Sequence, residues 1–323
     1  MQSKPIKLAV LIPVYNDWDC LSQLIDGLES LRQWVNSVEL LVVNDGSNHA
    51  PATPVEQAQN WFKSITVLDL VSNIGHQRAI AIGLCHLVST SSADAILTLD
   101  SDGEDTPESA VNLVDFWLHH RSAIAVGARG KRSEGQTFTW FYRTYKLMFW
   151  LFTGVHIDFG NFAVLPMASA RQLAAMPELW NHYPSTMLKS RLELRRRPIN
   201  RGQRYAGRSR MSLVQLINHG LSSISVFSDT VLARLLLAAI ILAGLLASLA
   251  LLVLAIKLFT DLAIPGWTSL VFGLTALGIL QVLTTQVVVI FLNLSSRSRF
   301  QMPTIAMASA YVATVRSYPG QPA

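Results

Sequence analysis

Two uninterrupted apolar stretches near the end of the chain, residues 232–259 and 269–294, limit what it can fold into more than any other feature. Each exceeds the roughly 20 apolar residues that cross a bilayer's hydrocarbon core as a helix. A short link holding Asp261, Pro265, Gly266 and Trp267 joins them, which predicts a transmembrane hairpin over residues 228–296. Buried core helices are the alternative reading of such runs. Composition agrees with a membrane: half of the 323 residues are hydrophobic and only 15% are charged, more apolar than an ordinary soluble chain. Arg234, Arg297, Arg299 and Arg316 flank one side of the hairpin, while the link side carries little beyond Lys257. The positive-inside rule then predicts an integral membrane protein with residues 1–227 cytoplasmic and 297–323 a cytoplasmic tail. Lys4 and Lys7 precede only a short apolar run, so no signal peptide is expected. Cys20 and Cys85 lack metal-ligand spacing and read as reduced core thiols.

Upstream of the hairpin, apolar strand patterns alternate with helical ones. Strands are expected at 6–14, 38–43, 64–70, 95–99 and 123–128, and helices at 18–34, 55–62, 77–88 and 107–119. Pro107 marks the start of the last of these helices, since proline suits the first helical turn. The alternation predicts an α/β domain built on a mainly parallel sheet. Ligands of such sheets lie at the carboxyl ends of the strands. Three of those ends run into acid-bearing turns, ending at Asp17, at Asp45 and at Asp100-Ser101-Asp102-Gly103-Glu104-Asp105. Asp100 and Asp102 would share one face of an extended backbone. Two carboxylates placed so make a seat for a hard divalent cation, Mg²⁺ or Mn²⁺, which would neutralise a diphosphate. An acidic surface turn is the other reading of a lone D-x-D. Three acid-bearing ends on one edge argue for ribose hydroxyls and a metal. The absence of G-x-G-x-x-G and of a P-loop lysine disfavours dinucleotide and P-loop sites.

The net charge of +5 is uneven. Residues 189–210 hold nine basic side chains and one acid, against 17 basic and 20 acidic residues elsewhere. So close to the hairpin, this cluster reads as a partner for lipid phosphates or headgroups, with a solvated face as the alternative. Nucleic-acid binding is the generic reading of such a cluster and is disfavoured here. Residues 138–152 are rich in aromatics, with Arg143 and Lys146 interleaved. That stretch is too short and too charged to span, and predicts a helix in the membrane interface or, alternatively, one packed on the sheet.

Pro13-Val14-Tyr15-Asn16-Asp17, Val43-Asn44-Asp45-Gly46-Ser47, Asn73-Ile74-Gly75-His76-Gln77 and Leu99-Asp100-Ser101-Asp102 stand in the order seen in family 2 glycosyltransferases of the GT-A fold, which the chain resembles over residues 6–294. Arg204-Tyr205-Ala206-Gly207-Arg208-Ser209-Arg210-Met211 resembles the R-x-x-G-x-S-K signature of the dolichyl-phosphate mannose synthase-like branch, which includes bacterial polyprenyl-phosphate glycosyltransferases. Residues 213–227 and the hairpin are similar to that branch as well, which adds interfacial helices at about 136–155 and 211–227. The resemblance implies a UDP- or GDP-linked sugar donor, a polyprenyl (undecaprenyl) phosphate or another membrane lipid as acceptor, and a bacterial inner membrane. It also implies roles. Pro13, Tyr15, Asp17 and Asp45 would hold base and ribose, and Asp100 and Asp102 the metal and diphosphate. Glu104 falls where relatives often have glutamine, near the metal. Arg129, Arg143 and Arg204 would face the acceptor phosphate or donor diphosphate, with Arg210 in place of the signature lysine. Asp158 completes the expected catalytic set, orienting sugar or phosphate, with a structural strand-end acid as the alternative.

One departure bears on the chemistry. Where bacterial undecaprenyl relatives commonly read D-x-G-D-F-R, this chain has Asp158-Phe159-Gly160-Asn161-Phe162-Ala163, an amide in place of the acid and an alanine in place of the arginine. A phosphomonoester with a second pKa of about 6 is already ionised near neutrality. Such a nucleophile needs positioning and charge screening more than a base. The expected reaction is one inverting displacement that moves a single sugar. A processive synthase would add a Q-x-x-R-W motif and more spans, and neither is present. A non-catalytic lipid-binding scaffold remains the alternative from another class, and a homo-oligomer is compatible with the sequence.

Overall fold

The computed structural model describes residues 5–50, 55, 61–129, 136–206, 213–260, 266–297 and 304–319. The chain divides into two compact units. The first comprises Met1–Lys146, Val155–Val226 and Met302–Ala323, and the second Leu147–Gly154 with Phe227–Gln301.

The first unit is built on an eight-stranded sheet: β1 (Lys7–Val14), β2 (Ser37–Asn44), β3 (Ser64–Leu70), β4 (Ala95–Thr98), β5 (Ile124–Arg129), β6 (Phe159–Pro166), β7 (Leu194–Ile199) and β8 (Val312–Pro319). Their spatial order is β7-β5-β6-β4-β1-β2-β3-β8. The pairs β1–β2, β1–β4, β2–β3 and β5–β7 are parallel, whereas β6 runs antiparallel to β4 and β5, and β8 to β3. The α/β fold with a mainly parallel sheet is therefore present. β1 is a continuous apolar run because helices cover both of its faces. Leu8, Val10 and Ile12 enter a core with α1 (Trp18–Gly27) and α3 (Pro107–Leu118), and Ala9 and Leu11 one with α2 (His76–Thr90), α5 (Met167–Ala174) and α6 (Tyr183–Lys189).

Local chemistry sets the helix ends. Thr106 caps α3, its hydroxyl accepting from the Ser109 N–H at 3.2 Å, and Pro107 opens the first turn as expected. The single helix expected over 18–34 is instead α1 followed by a 3-10 turn, Leu28–Gln33. The change falls at Gly27, where a Cβ would stand 2.4 Å from Cγ of Pro107, so the junction is where α3 packs closest. The helix expected at 55–62 lies mostly outside the described residues.

The chain beyond the apolar stretches, which carries no clear sequence pattern, supplies edge strand β8. Arg316 donates from Nε and Nη2 to both oxygens of Asp69 on β3, Thr314 donates at 2.7 Å, and Asn44 on β2 donates to the same carboxylate at 2.9 Å. Burial works against the Asp69 charge, but these three donors outweigh it and hold the carboxyl below its usual value. A depressed acid stabilises the fold above its unfolded pKa, about 3.9, and loses that contribution as pH falls through the lower folded value. Arg316 is 45% exposed, so Arg316→Ala is expected to cost only about 1 kcal/mol at pH 7. In thermal melts followed by circular dichroism, the gap from wild type should narrow below about pH 4.

The second unit pairs α8 (Ser228–Phe259) with α9 (Trp267–Arg297) and adds the end of α4 (Gln136–Thr153). Arg234 on α8 donates to the carbonyls of Trp150 and Leu151, satisfying the end of α4, and Phe149 meets Phe227 edge to face. Both long helices are apolar enough to cross a membrane, and almost none of their apolar surface is buried within the protein. The hydroxyls of Ser248, Thr275, Thr284 and Thr285 each bond a carbonyl one turn earlier in their own helix.

Candidate active site

The carboxyl ends of β1, β2 and β4 lie side by side, because β1 pairs with both β2 and β4 in parallel. The chain after β2 places Asp45, 3% exposed, where its carboxylate accepts from the N–H groups of Ile74 at 2.8 Å and Gly75 at 3.1 Å. Burial raises its pKa and those two donors partly offset the rise. Gly46 follows with φ +67°, and a Cβ there would stand 2.5 Å from the Asn73 nitrogen. Pro13 is buried in β1, opposite Val43, while Tyr15 is 41% exposed. Asn16, at φ +57°, ties the two turns together: its N–H donates to the Ser47 hydroxyl and its side chain accepts from the Asn48 N–H.

After β4, the acidic turn folds back on itself. Asp102 accepts from the Glu104 N–H at 3.0 Å, and buried Asp105 accepts from the Asp100 N–H at 3.4 Å. Two arginines from the segment after β7 close the turn. Arg204 donates to Asp17 at 2.6 Å and to Asp102 at 3.5 Å, and so spans the β1 and β4 ends. Arg201 pairs with Glu104 and stands 3.9 Å from Asp105. Burial, then the neighbouring Asp100 charge, push Asp105 up to about 7, and the same two causes raise Asp102. Asp100 goes the other way. Burial opposes its charge, but His76 at 3.0 Å, Arg201 and the Asn161 amide at 3.2 Å outweigh that and hold it well below the usual carboxylate range. The His76 pKa is raised in turn, the Asp100 charge overcoming burial.

Asp17, Asp45, Asp100 and Asp102 thus occupy one sheet edge with Arg204 among them. Other residues singled out from sequence lie elsewhere or differ in detail. Glu104 is engaged by Arg201, and among the described residues no three His, Cys, Asp or Glu side chains converge as a metal-binding group. The all-oxygen Asp100/Asp102 pair, crowded with like charge, still suits a hard cation. Asp158 forms an exposed ion pair with Arg196, both carboxylate oxygens lying 3.1 Å from Nε. Arg129 ends β5 and Arg143 lies on α4, while Arg210 falls outside the described residues. The basic cluster is not one open surface. Lys189, Arg195, Arg196, Arg201 and Arg204 all pair with acids of the same unit, and Arg197 lies over the Phe116 ring. Arg201 was not separable from that cluster in the sequence. Both cysteines are buried and free, and burial pushes the Cys85 thiol up to about 12.

The glycosyl transferase family 2 pattern matches residues 9–173, just over half of the chain and all of this acidic edge. The chain is a family 2 glycosyltransferase. This glycosyltransferase is 26% identical over 285 residues, 83% of each chain, to the uncharacterized glycosyltransferase YkcC of Bacillus subtilis strain 168. It is 30% identical over 140 residues to the undecaprenyl-phosphate 4-deoxy-4-formamido-L-arabinose transferase of Proteus mirabilis, covering 43% of this chain and 40% of that one. Among solved structures, glucosyl-3-phosphoglycerate synthase from Mycobacterium tuberculosis with Mn²⁺, UDP-glucose and phosphoglyceric acid is similar at a TM-score of 0.48 and 18% identity, covering 71% of this chain and 79% of that one.

Proposed function

We propose that this glycosyltransferase moves one sugar, with inversion, from a UDP- or GDP-linked donor to a polyprenyl phosphate at the cytoplasmic face of a bacterial inner membrane. The Arg204 bridge from Asp17 to Asp102 carries this reading, because it joins the nucleotide end of the sheet to the diphosphate end with one cation. Asp45, pinned by two N–H groups, is oriented before any ligand arrives, and Asp17 stands beside it for the ribose hydroxyls. Asp100 and Asp102 would hold a divalent cation, which when bound neutralises the diphosphate and eases departure of the nucleotide. Arg204 adds fixed positive charge where the leaving group develops negative charge. No side chain need deprotonate a lipid phosphate that is already ionised, so an amide at position 161 is compatible with transfer.

The membrane part rests on exposure. Leu237, Ile240, Leu251, Leu277, Val287 and Phe291 are each more than half exposed, a far larger apolar surface than a soluble monomer carries. In the first unit, the helix α7 (Leu213–Ser225) exposes apolar side chains of its own. His219 and Ser223 turn toward the domain, His219 3.2 Å from His182 and Ser223 2.7 Å from Ser185, while Val214, Ile217 and Leu221 are exposed alongside Gln215 and Asn218. Exposed apolar side chains on such a helix suit one resting on a lipid surface.

The test is transfer by detergent-purified protein from a panel of UDP- and GDP-sugars to undecaprenyl phosphate with Mg²⁺ or Mn²⁺. Wild type should yield a glycolipid. Asp102→Ala, or chelation with EDTA, should reduce the rate by about 10³-fold or more, as losing a major electrostatic stabiliser does. Sugar-nucleotide binding without product would overturn the polyprenyl acceptor, and absence of both would overturn the enzyme reading.

A further inference from the structure

Asn161 stands at the end of a series of side-chain bonds that gives its amide a task an acid could not do. The N–H of Tyr183, which can only donate, bonds Gln77 Oε1 at 2.8 Å. That fixes the Gln77 amide with its NH₂ outward, where it donates to Asn161 Oδ1 at 2.9 Å. Asn161 in turn must present its own NH₂ to Asp100 Oδ1 at 3.2 Å, beside His76 Nε2 at 2.9 Å. Each amide is oriented by the one behind it, and the series begins at a backbone group that cannot reverse. Tyr183 is itself fully buried, its hydroxyl 3.2 Å from that of Thr98 on β4, so the relay starts from fixed core. His76 and Asn161 both contact Oδ1 of Asp100, which leaves Oδ2 for a ligand of the site.

We propose that Asn161 is a positioning residue, and that the Tyr183–Gln77–Asn161 relay sets the direction of the Asp100 carboxylate toward the donor's cation. This rests on the reading of Asp100 as part of the cation and diphosphate seat. The relay accounts for an amide at position 161: a carboxylate there has no hydrogen to give Asp100 and would place a like charge 3.2 Å from it. It also assigns a role to Gln77, which closes the Asn73–Gln77 motif without a task of its own in the sequence.

The test uses the full-length protein in detergent and two probes, Mn²⁺ alone, read by electron paramagnetic resonance of the free ion, and sugar transfer. Asn161→Ala removes the donor to Asp100. Gln77→Glu keeps the bond to the Tyr183 N–H but offers Asn161 an acceptor, so the Asn161 amide turns over and presents its oxygen to Asp100. Each variant is expected to weaken Mn²⁺ binding by about 10–100-fold, the usual effect of losing an outer partner of a metal-ligating group. The double variant should be no weaker than the worse single one. In transfer assays the apparent Mn²⁺ requirement should rise while the acceptor KM holds, and Gln77→Glu, nearly isosteric, should keep the wild-type melting temperature. A raised acceptor KM with unchanged Mn²⁺ affinity in Asn161→Ala would overturn the proposal and place Asn161 against the acceptor. A silent Gln77→Glu would overturn the relay. If wild type transfers sugar and both variants bind Mn²⁺ normally, only this proposal fails; if wild type neither transfers nor binds Mn²⁺, the donor-seat reading fails with it.

Discussion

Replacing Arg201 by methionine is expected to cost the first unit about 2–4 kcal/mol, a larger loss than any exposed arginine would give. The guanidinium is 22% exposed and sits against Glu104 and the nearly buried Asp105, with Asp100 and Asp102 contributing to the same field. Removing one partner of such a group leaves the other charges stranded in low dielectric, and residual solvent contact keeps the loss toward the low end. The Asp105 carboxyl already titrates near 7 in the folded protein, against about 3.9 unfolded. An acid whose folded pKa is raised weakens the fold as pH climbs between those two values. Losing Arg201 raises the folded pKa further, so the penalty should be larger at pH 8 than at pH 5. Adding Asp105→Asn removes the stranded charge and should restore most of the loss. Thermal melts of the four proteins of this cycle, with EDTA present, decide it. A single-variant loss below about 1 kcal/mol would mean that the pairing is solvent-screened and contributes little.

Gly46→Ala is expected to damage stability and donor binding together. The backbone there sits at φ +67°, and the new Cβ would meet the Asn73 nitrogen at 2.5 Å and the Ser72 carbonyl carbon at 2.6 Å. These are backbone atoms of the loop whose next two N–H groups hold Asp45, so relief of the clash must pull that loop off the carboxylate. Strain at a left-handed residue and overpacking each cost about 1–3 kcal/mol. Losing a charge-assisted bond to Asp45 would weaken sugar-nucleotide affinity by about tenfold or more, measurable by calorimetry. Two controls separate the causes. Gly46→Asn tolerates the left-handed backbone but keeps the clash, and should be nearly as harmful. Gly103→Ala, at φ +82°, has the ring of Tyr205 as its nearest neighbour, a 37% exposed side chain that can swing away, and should cost less.

The acids of the site were legible in the sequence because a buried parallel strand announces itself as an apolar run, and the turn after it necessarily lies at the sheet's carboxyl edge. Asp17, Asp45, Asp100 and Asp102 each follow such a run. What closes around them was not legible. Arg201 reaches the acids from about a hundred residues downstream, and nothing in its neighbourhood distinguishes it from Arg195 or Arg196, whose partners are Glu193 and Asp158. Arg204 stood out through its R-x-x-G signature as a phosphate contact, but its bridge between Asp17 and Asp102 did not. Edge strand β7, Leu-Arg-Arg-Arg-Pro-Ile, lacks the apolar pattern of a central strand because its arginines are exposed. The departure at Asn161 was visible, but its meaning was not, since that depends on which way two amides point.

Strand β8 ties the timing of synthesis to the completion of the domain. Ser317 lies beside Thr66, 251 residues upstream, and both long apolar helices intervene. At 5–20 residues per second, a ribosome takes roughly 10–50 s to reach β8 after leaving β3. Throughout that interval β3 presents a bare row of N–H and C=O groups, the feature by which nascent chains mispair with one another. Both apolar helices are therefore made before the sheet can be finished, and the edge of β3 has to stay apart from its neighbours until β8 arrives.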